Sequence, residues 1–265
     1  MEDYHVHSDV SPDGKDSMER MCEAALKAGL REIAFTDHYE CFMGGVRSPH
    51  FHESYLKLYF QKLSACREQY AGRLTIRAGL ELGQSHLGKE EVKKVLSYPF
   101  DFILGSVHKL GNVDLSWISF TPKNAGILAR TYFAILEELA AEGEYDCLGH
   151  LDYVKKHMLR CGCPFVWEDY EEEYRRILNH VVRRGKGIEV NTAGLGTFME
   201  ETMPEEPILS LYKELGGEIV TLGSDAHRAE RVGYGFSEAK DRLSRAGFAR
   251  TATFASHQVG WEGKA

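Results

Sequence analysis

Six short stretches of this 265-residue chain carry residue types that suit divalent metals. They are His5-Val6-His7, Thr36-Asp37-His38, Gly79-Leu80-Glu81, Ser106-Val107-His108, Gly149-His150-Leu151-Asp152 and Ser224-Asp225-Ala226-His227. Imidazole and carboxylate without thiolate is the donor set of Zn, Mn or Fe. In an H-x-H strand, residues i and i+2 face the same side, so His5 and His7 can share an ion. Asp225 and His227 repeat that spacing near the other end of the chain. Glu81 is the candidate bridge, because the two oxygens of a carboxylate can each bind one ion. Any one such residue could be a structural hydrogen-bonding group. Nine such groups at six predicted strand ends are harder to explain that way. Burying several carboxylates together without cations costs several kcal/mol per group.

These groups need elements that converge. Short apolar, β-branched runs alternate with amphipathic segments, the pattern of a parallel sheet with helical crossovers. The expected strands are Asp3 to Val6, Glu32 to Phe35, Thr75 to Leu80, Asp101 to Ser106, Tyr145 to Leu148, Gly187 to Val190 and Glu218 to Leu222. Helical periodicity runs over Glu53 to Tyr70, Lys123 to Ala141, Tyr170 to Val182, Pro207 to Leu215 and Ser237 to Ala246. Gly29, Gly143, Gly185 and Gly216 follow helical segments, where a left-handed residue ends a helix. Seven βα units in series, with no G-x-G-x-x-G turn after the first strand, predict a distorted (β/α)7 TIM-like barrel. Active sites of such barrels lie where the strand C-termini converge, and each predicted strand end carries an imidazole, carboxylate or amide.

No linker or repeat divides the chain, so one domain over 1–265 is expected. A net charge of −8 argues against a protein that grips nucleic-acid backbone. The chain opens without a basic n-region or an apolar h-region, and no apolar run is long enough for a bilayer. Its six cysteines lack paired metal-knuckle spacing. A cytoplasmic chain with reduced thiols is the expectation. Of the 12 histidines, His50, His52, His86, His157, His180 and His257 have no strand-end placement. His50 and His52 lie in a long loop that could reach the barrel mouth.

The motif order H-x-H, T-D-H, G-L-E, S-V-H, G-H-L-D, S-D-A-H resembles the polymerase and histidinol phosphatase (PHP) superfamily over nearly the whole chain. Gly149-His150-Leu151-Asp152-Tyr153-Val154-Lys155-Lys156 and Ile188-Glu189-Val190-Asn191-Thr192-Ala193-Gly194 resemble its histidinol-phosphatase branch. The resemblance implies a distorted (β/α)7 barrel with three divalent metal ions (Zn, Mn or Fe). By position, it implies that His5, His7, Glu81 and Asp225 hold the first metal. Glu81, His108 and His150 would hold the second, and Asp13, His38 and His227 the third. Position 13 is histidine in some relatives, so Asp13 bears on metal preference. The nine-residue set is complete, which favours an active enzyme.

The expected activity is hydrolysis of a phosphate monoester, by attack of a hydroxide bridging two metals. The branch resemblance makes the substrate histidinol phosphate, in histidine biosynthesis. Glu81, Asp13 and His227 are the expected catalytic groups. Asp37, Asp152 and Asn191 are candidates to orient ligand imidazoles. Arg160, Lys109 and Arg228 are candidates to anchor phosphate, and Glu40 and Glu189 to receive a cationic substrate. Another PHP phosphoesterase, acting on nucleotides, cyclic phosphates or phosphotyrosine, is the alternative. A metal-binding module without turnover would instead need closed coordination shells. No nucleic-acid or membrane partner is expected.

Overall fold

Residues 1–41 and 53–262 are described in a computed structural model. Seven parallel strand positions follow one another around a nearly closed barrel, and helices cover its outside. In chain order the elements begin β1 (Glu2–Val6), α1 (Met18–Lys27), β2 (Glu32–Phe35), β3 (His38–Glu40), α2 (Glu53–Gln69), β4 (Thr75–Gly83) and α3 (Lys89–Val95). Next come β5 (Phe102–Ser106), β6 (Lys109–Leu110), β7 (Val113–Asp114), α4 (Ala125–Glu142), β8 (Cys147–Leu148), α5 (Tyr153–Arg160) and α6 (Glu171–Arg183). The chain finishes with β9 (Gly187–Asn191), α7 (Glu206–Glu214), β10 (Val220–Gly223), α8 (Phe236–Arg245), β11 (Ala252–Ala255) and β12 (Gln258–Trp261). The sheet order is β1-β2-β4-β5-β8-β9-β10, with β3 also on β4. A parallel bridge between Val6 and Ala226 brings the first and last strands together. The expected barrel and its seven strands are therefore present in one α/β domain.

The helices form for the reasons their spacing gives. In α6, Tyr174, Ile177, Leu178 and Val181 are buried on one stripe. Glu171, Glu172 and Glu173 open it and Arg183 closes it, which complements the helix dipole. In α1, Met18, Met21, Cys22 and Ala25 are buried, and Ser17 caps the N-terminus by accepting from the Arg20 amide. Gly29, Gly185 and Gly216 take positive φ after helices, as expected. Gly143 does not: its φ is −73°, an extended C-cap. A side chain there would run into Leu139 and the Ser85 hydroxyl, so close approach explains that glycine.

Two features depart from simple strand reading. Pairing of the second strand breaks after Phe35 and resumes as β3, with His38 opposite Glu81 and Glu40 opposite Gly83. This support extends β4 through Gly83, so Glu81 lies within the strand and not beyond it. The second feature is a C-terminal hairpin, β11–β12, which the helical and parallel periodicities do not announce. Its Ala252 and Phe254 join Tyr4, Ala34, Phe102, Leu104 and Cys147 in a separate apolar cluster. That cluster floors the barrel at the end away from the metal-type residues. Among the described residues no helix is long and apolar enough to cross a membrane, and all six cysteines are free.

Tyr4 ties the hairpin to the floor. Its hydroxyl donates to Glu32 and accepts from the Phe254 amide at 2.6 Å. Glu32 also pairs with Arg77, 3.0 Å from Nε. Replacing Tyr4 with Phe would leave a buried amide and part of a buried carboxylate unpaired, at a cost of about 1–3 kcal/mol. A urea melt of Tyr4→Phe is expected to show that loss; an unchanged midpoint would mean that the hairpin is held by packing alone.

Candidate metal centre

The barrel closure does the first positioning step. His7 N–H donates to the Ala226 carbonyl at 3.0 Å, and Asp225 N–H donates to the His5 carbonyl at 2.8 Å. Residues more than 200 positions apart in sequence, as in Gly14's neighbour Asp13 and His227, thereby meet: His227 Nε2 lies 3.0 Å from Asp13 Oδ2. Asp225 has φ of 53°, in the left-handed region. Such a conformation costs of order 1–3 kcal/mol in a non-glycine residue and persists where its surroundings fix it. It also corrects the strand-like reading of Asp225 and His227. They are joined by a turn, with His227 Nδ1 3.0 Å from the Asp225 carbonyl, and not by strand alternation.

Glu81 occupies the middle of the donor set and is 1% exposed. Its Oε1 lies 3.0 Å from His108 Nε2 and 3.0 Å from His150 Nε2. Its Oε2 lies 2.8 Å from His38 Nδ1, 3.4 Å from His5 Nε2 and 3.5 Å from His7 Nε2. Asp225 Oδ1 is 3.5 Å from His5 Nε2 and 3.4 Å from His7 Nε2. Four overlapping groups have all their donor atoms within 4.8 Å of one another. They are His7–Asp13–His38–His227, His5–His7–Glu81, His5–His150–Asp225 and His38–Glu81–His108. All nine residues expected as ligands are thus brought together at the strand C-termini. The grouping is more shared than a partition into three sets, since His5, His7 and His38 each belong to two groups.

The chemistry of these donors fits bound cations. His5 Nε2 and His7 Nε2 face each other at 3.1 Å. With Glu189 at His5 Nδ1, the His5 ring holds its proton there and turns its Nε2 lone pair inward. Two inward lone pairs at that separation repel unless a proton or a metal lies between them. His150 Nδ1 is buried without a hydrogen-bond partner, and Glu81 Oε2 and His38 Nδ1 have, apart from their 2.8 Å approach to each other, no well-aligned hydrogen bond. Poorly satisfied buried polar atoms are rare and need an explanation, and an ion on Glu81 would supply one for its Oε2.

Charge coupling is strong without metal. Burial opposes ionisation of Glu81, yet His38, His108 and His5 hold its carboxyl well below the usual range. Burial likewise opposes protonation of His108, but Glu81 and Glu40 outweigh it and raise the imidazole to about 9. His5 is raised well above its ordinary value against burial, by Glu189, Asp225 and Glu81. His7 goes the other way, down to about 3, through burial and the neighbouring His227 and His38 rings. Proton uptake by His5 and His108 is thus favoured beside the buried carboxylates.

Two buried carboxylates aim the rings. Glu189 Oε1 is 2.6 Å from His5 Nδ1, and its Oε2 accepts the His150 amide at 2.8 Å. Glu40 Oε1 is 2.8 Å from His108 Nδ1, and its Oε2 accepts from Lys109 Nζ at 3.0 Å. Carboxylate–imidazole pairs of this kind fix tautomer and orientation in metal sites. Of the two expected to receive a cationic substrate, Glu189 does not line the cavity, and Glu40 lines it with each oxygen already holding one partner. Glycines make room for them: a Cβ at Gly83 would collide with the Glu40 carboxylate, and one at Gly223 with that of Glu189. A glycine at a strand end beside a buried carboxylate is the sequence signal that could have found this arrangement.

The other expected residues lie as follows. Asp37 accepts the Ser8 amide at 2.6 Å and the Ser8 hydroxyl at 2.8 Å, so it fixes the turn after β1 and contacts no imidazole within hydrogen-bonding distance. Asn191 Nδ2 donates to Glu189 at 3.2 Å and lies 3.4 Å from Asp225 Oδ2, within the ring-orienting layer. Asp152 is fully buried, neither of its oxygens has a hydrogen-bond partner, and burial lifts it to about 7. Lys109 lines the cavity over the donors. Arg160 and Arg228 do not line it; Arg160 is exposed and donates from Nη2 to the Ser116 carbonyl at 2.8 Å. His50 and His52 lie outside the described residues. The cavity, of about 540 Å³, is also lined by Asp114, Ser116, Tyr153 and Lys156, none of which the motif reading had assigned a role. Tyr153 packs against the donors, its ring centroid 4.7 Å from that of His150, and Lys156 Nζ sits 5.3 Å from the Tyr153 ring centre.

A parallel βα barrel with imidazoles and carboxylates crowded at its C-terminal mouth defines a metal-centre class of α/β protein. The family model described as the PHP domain matches residues 3–193, and the chain belongs to that family. It is 28% identical over 261 residues to the histidinol-phosphatase of Lactococcus lactis subsp. lactis strain IL1403, covering 97% of this chain and 95% of that one. It is 31% identical over 270 residues to a probable histidinol-phosphatase of Deinococcus radiodurans, covering 95% of each. The crystal structure of the Lactococcus lactis histidinol phosphate phosphatase, complexed with Zn, L-histidinol and phosphate, superposes with a TM-score of 0.85 at 27% identity over 98% of both chains.

A pH test follows from the protons held at the centre. The folded His108 pKa of about 9 lies above the ordinary value of 6.5, so its protonation stabilises the metal-free fold fully below about pH 6.5. That contribution is lost as pH rises through about 9. Thermal melts of chelator-treated protein are therefore expected to weaken between these limits, by an amount on the order of a few kcal/mol. A flat metal-free profile over that window would show that the imidazole carries no proton in the fold.

Proposed function

We propose that residues 1–265 form one PHP-type domain that acts as a metal-dependent phosphomonoesterase. Its substrate in this reading is histidinol phosphate, released as histidinol and inorganic phosphate. The observation that carries the proposal is the clustering of nine imidazoles and carboxylates, with five of the imidazoles on Glu81, at the mouth of one cavity. The bound ligands of the Lactococcus lactis relative support the choice of substrate. The reading places the chain in histidine biosynthesis and in a reducing cytoplasm.

His5, His7, Glu81 and Asp225 would hold one divalent ion, Glu81, His108 and His150 a second, and Asp13, His38 and His227 a third. Zn, Mn and Fe all suit these donors. Bound divalent ions would supply Lewis acidity toward phosphate oxygens and a water of lowered pKa. The chain supplies the rest. Glu81, buried and acceptor-only, couples the first two ligand sets through its two oxygens. Glu189 and Glu40 keep the His5 and His108 rings aimed inward. Lys109 and Lys156 line the cavity with ammonium groups that attract a phosphate dianion. Asp13 and His227 are the open members of the donor set, with side chains 49% and 32% exposed, and they would be the groups that pass a proton to the departing alcohol.

A phosphate-release panel tests the substrate. Histidinol phosphate should give a higher kcat/KM than nucleotides, sugar phosphates, cyclic phosphates and phosphotyrosine; a nucleotide or phosphotyrosine at the head of the panel would replace the substrate assignment. Elemental analysis of the purified protein should find more than one Zn, Mn or Fe per chain. Glu81→Gln should lower turnover by about 10²- to 10³-fold or more and reduce bound metal, with an unchanged circular dichroism spectrum. Full metal occupancy in a dead Glu81→Gln variant would mean that Glu81 serves the reaction without holding the ions.

A further inference from the structure

Four carboxylates line the cavity: Asp13, Glu40, Asp114 and Asp225. Three have work within the centre. Asp13 lies beside His38 and His227, Asp225 beside His5 and His7, and Glu40 between His108 and Lys109. Asp114 is different. Its Oδ1 caps a short 3-10 turn, accepting the Ser116 amide at 2.8 Å and the Ser116 hydroxyl at 2.5 Å. Its Oδ2 has no hydrogen-bond or ion-pair partner among the described residues. The half-buried residue lines the cavity, and Oδ2 is the oxygen that the cap leaves over.

The local structure keeps it so. Asp114 ends β7, paired directly with Lys109 of β6, and Lys109 is the nearest cation along the backbone. The Lys109 ammonium is bonded to Glu40 at 3.0 Å and forms no ion pair with Asp114. Arg160 braces the same turn from outside, through the Ser116 carbonyl at 2.8 Å. The capped turn and the brace fix the carboxylate while leaving Oδ2 open.

We infer that Asp114 selects phosphate esters whose alcohol carries a positive charge, by pairing its Oδ2 with an ammonium or imidazolium of the leaving group. A phosphate dianion belongs at the metal-type donors, where Asp114 would only repel it. An alcohol bearing a cation turns that repulsion into a charge-assisted hydrogen bond, worth about 1.5–3 kcal/mol. The inference rests on the phosphomonoesterase reading, and it gives that reading a charge class of substrate set by one residue.

The test compares wild type with Asp114→Asn, which keeps the capping oxygen and removes the charge. Three esters are used: histidinol phosphate, 2-aminoethyl phosphate and p-nitrophenyl phosphate. The variant should lose about 10- to 100-fold in kcat/KM on the two cationic esters, mostly through KM, and stay within about twofold on p-nitrophenyl phosphate. An equal loss on all three esters, or no loss on the cationic pair, overturns the inference. Wild type that cleaves 2-aminoethyl phosphate but not histidinol phosphate removes the substrate assignment and leaves Asp114 to be judged on the remaining pair. Wild type that releases phosphate from none of them, with metal bound, overturns both.

Discussion

The structure turns on one buried negative charge. Glu81 sits almost without solvent among five imidazoles, with one oxygen facing His108 and His150 and the other facing His38, His5 and His7. A carboxylate taken out of water loses several kcal/mol of solvation unless positive charge replaces it. Imidazoles supply that charge only by taking protons, and the two facing nitrogens of His5 and His7 show the limit of this solution. They cannot both be protonated at 3.1 Å, and His7 is accordingly pushed far down while His5 is pushed up. Divalent ions answer the same demand with more charge in less space, which is why the donor chemistry and the electrostatics point to one occupant class.

The fold serves this constraint in layers. The Val6–Ala226 bridge brings the H-x-H segment and the S-D-A-H segment to the same place, and the resumed pairing of β3 carries Glu81 and Glu40 to the rim. Beneath the donors, Glu189 and Glu40 each grip an imidazole from behind. Those carboxylates fit only because Gly83 and Gly223 offer no side chain. Small residues at strand ends thus decide the direction in which an imidazole points, two steps removed from any ion.

Much of this was legible in the sequence, because two periodicities carry it. Alternating apolar runs located seven strands, and the polar residues just past them located the donors, since parallel strands in a barrel all end on one face. What remained hidden depends on contacts between distant segments. The C-terminal hairpin shows no parallel-strand context and is recognised only through Tyr4 and the floor cluster it completes. Glu189 looked like a substrate contact because its position along β9 cannot reveal that His5, 184 residues earlier, occupies its oxygen. Arg160 looked like a phosphate anchor for the same reason, and its contact with the Ser116 carbonyl comes from a turn whose existence the pattern did not predict. Residues whose position is set by their own strand were placed well from the pattern, and contacts set by a distant partner were not.

The two ends of the barrel divide stability from chemistry. At the floor, aromatic and aliphatic side chains close the interior, and the Glu32–Arg77 ion pair there is matched in charge and joined by the Tyr4 hydroxyl. At the mouth, carboxylates are crowded among imidazoles, Asp225 is held at a positive φ, and His150 Nδ1 is buried without a hydrogen-bond partner. The strands that end there are fixed below by a floor that contains none of the donors, so the barrel itself sets where the donors stand. That separation explains how a chain of modest size keeps this many titratable groups at one point, and why its net charge of −8 describes the loaded site poorly.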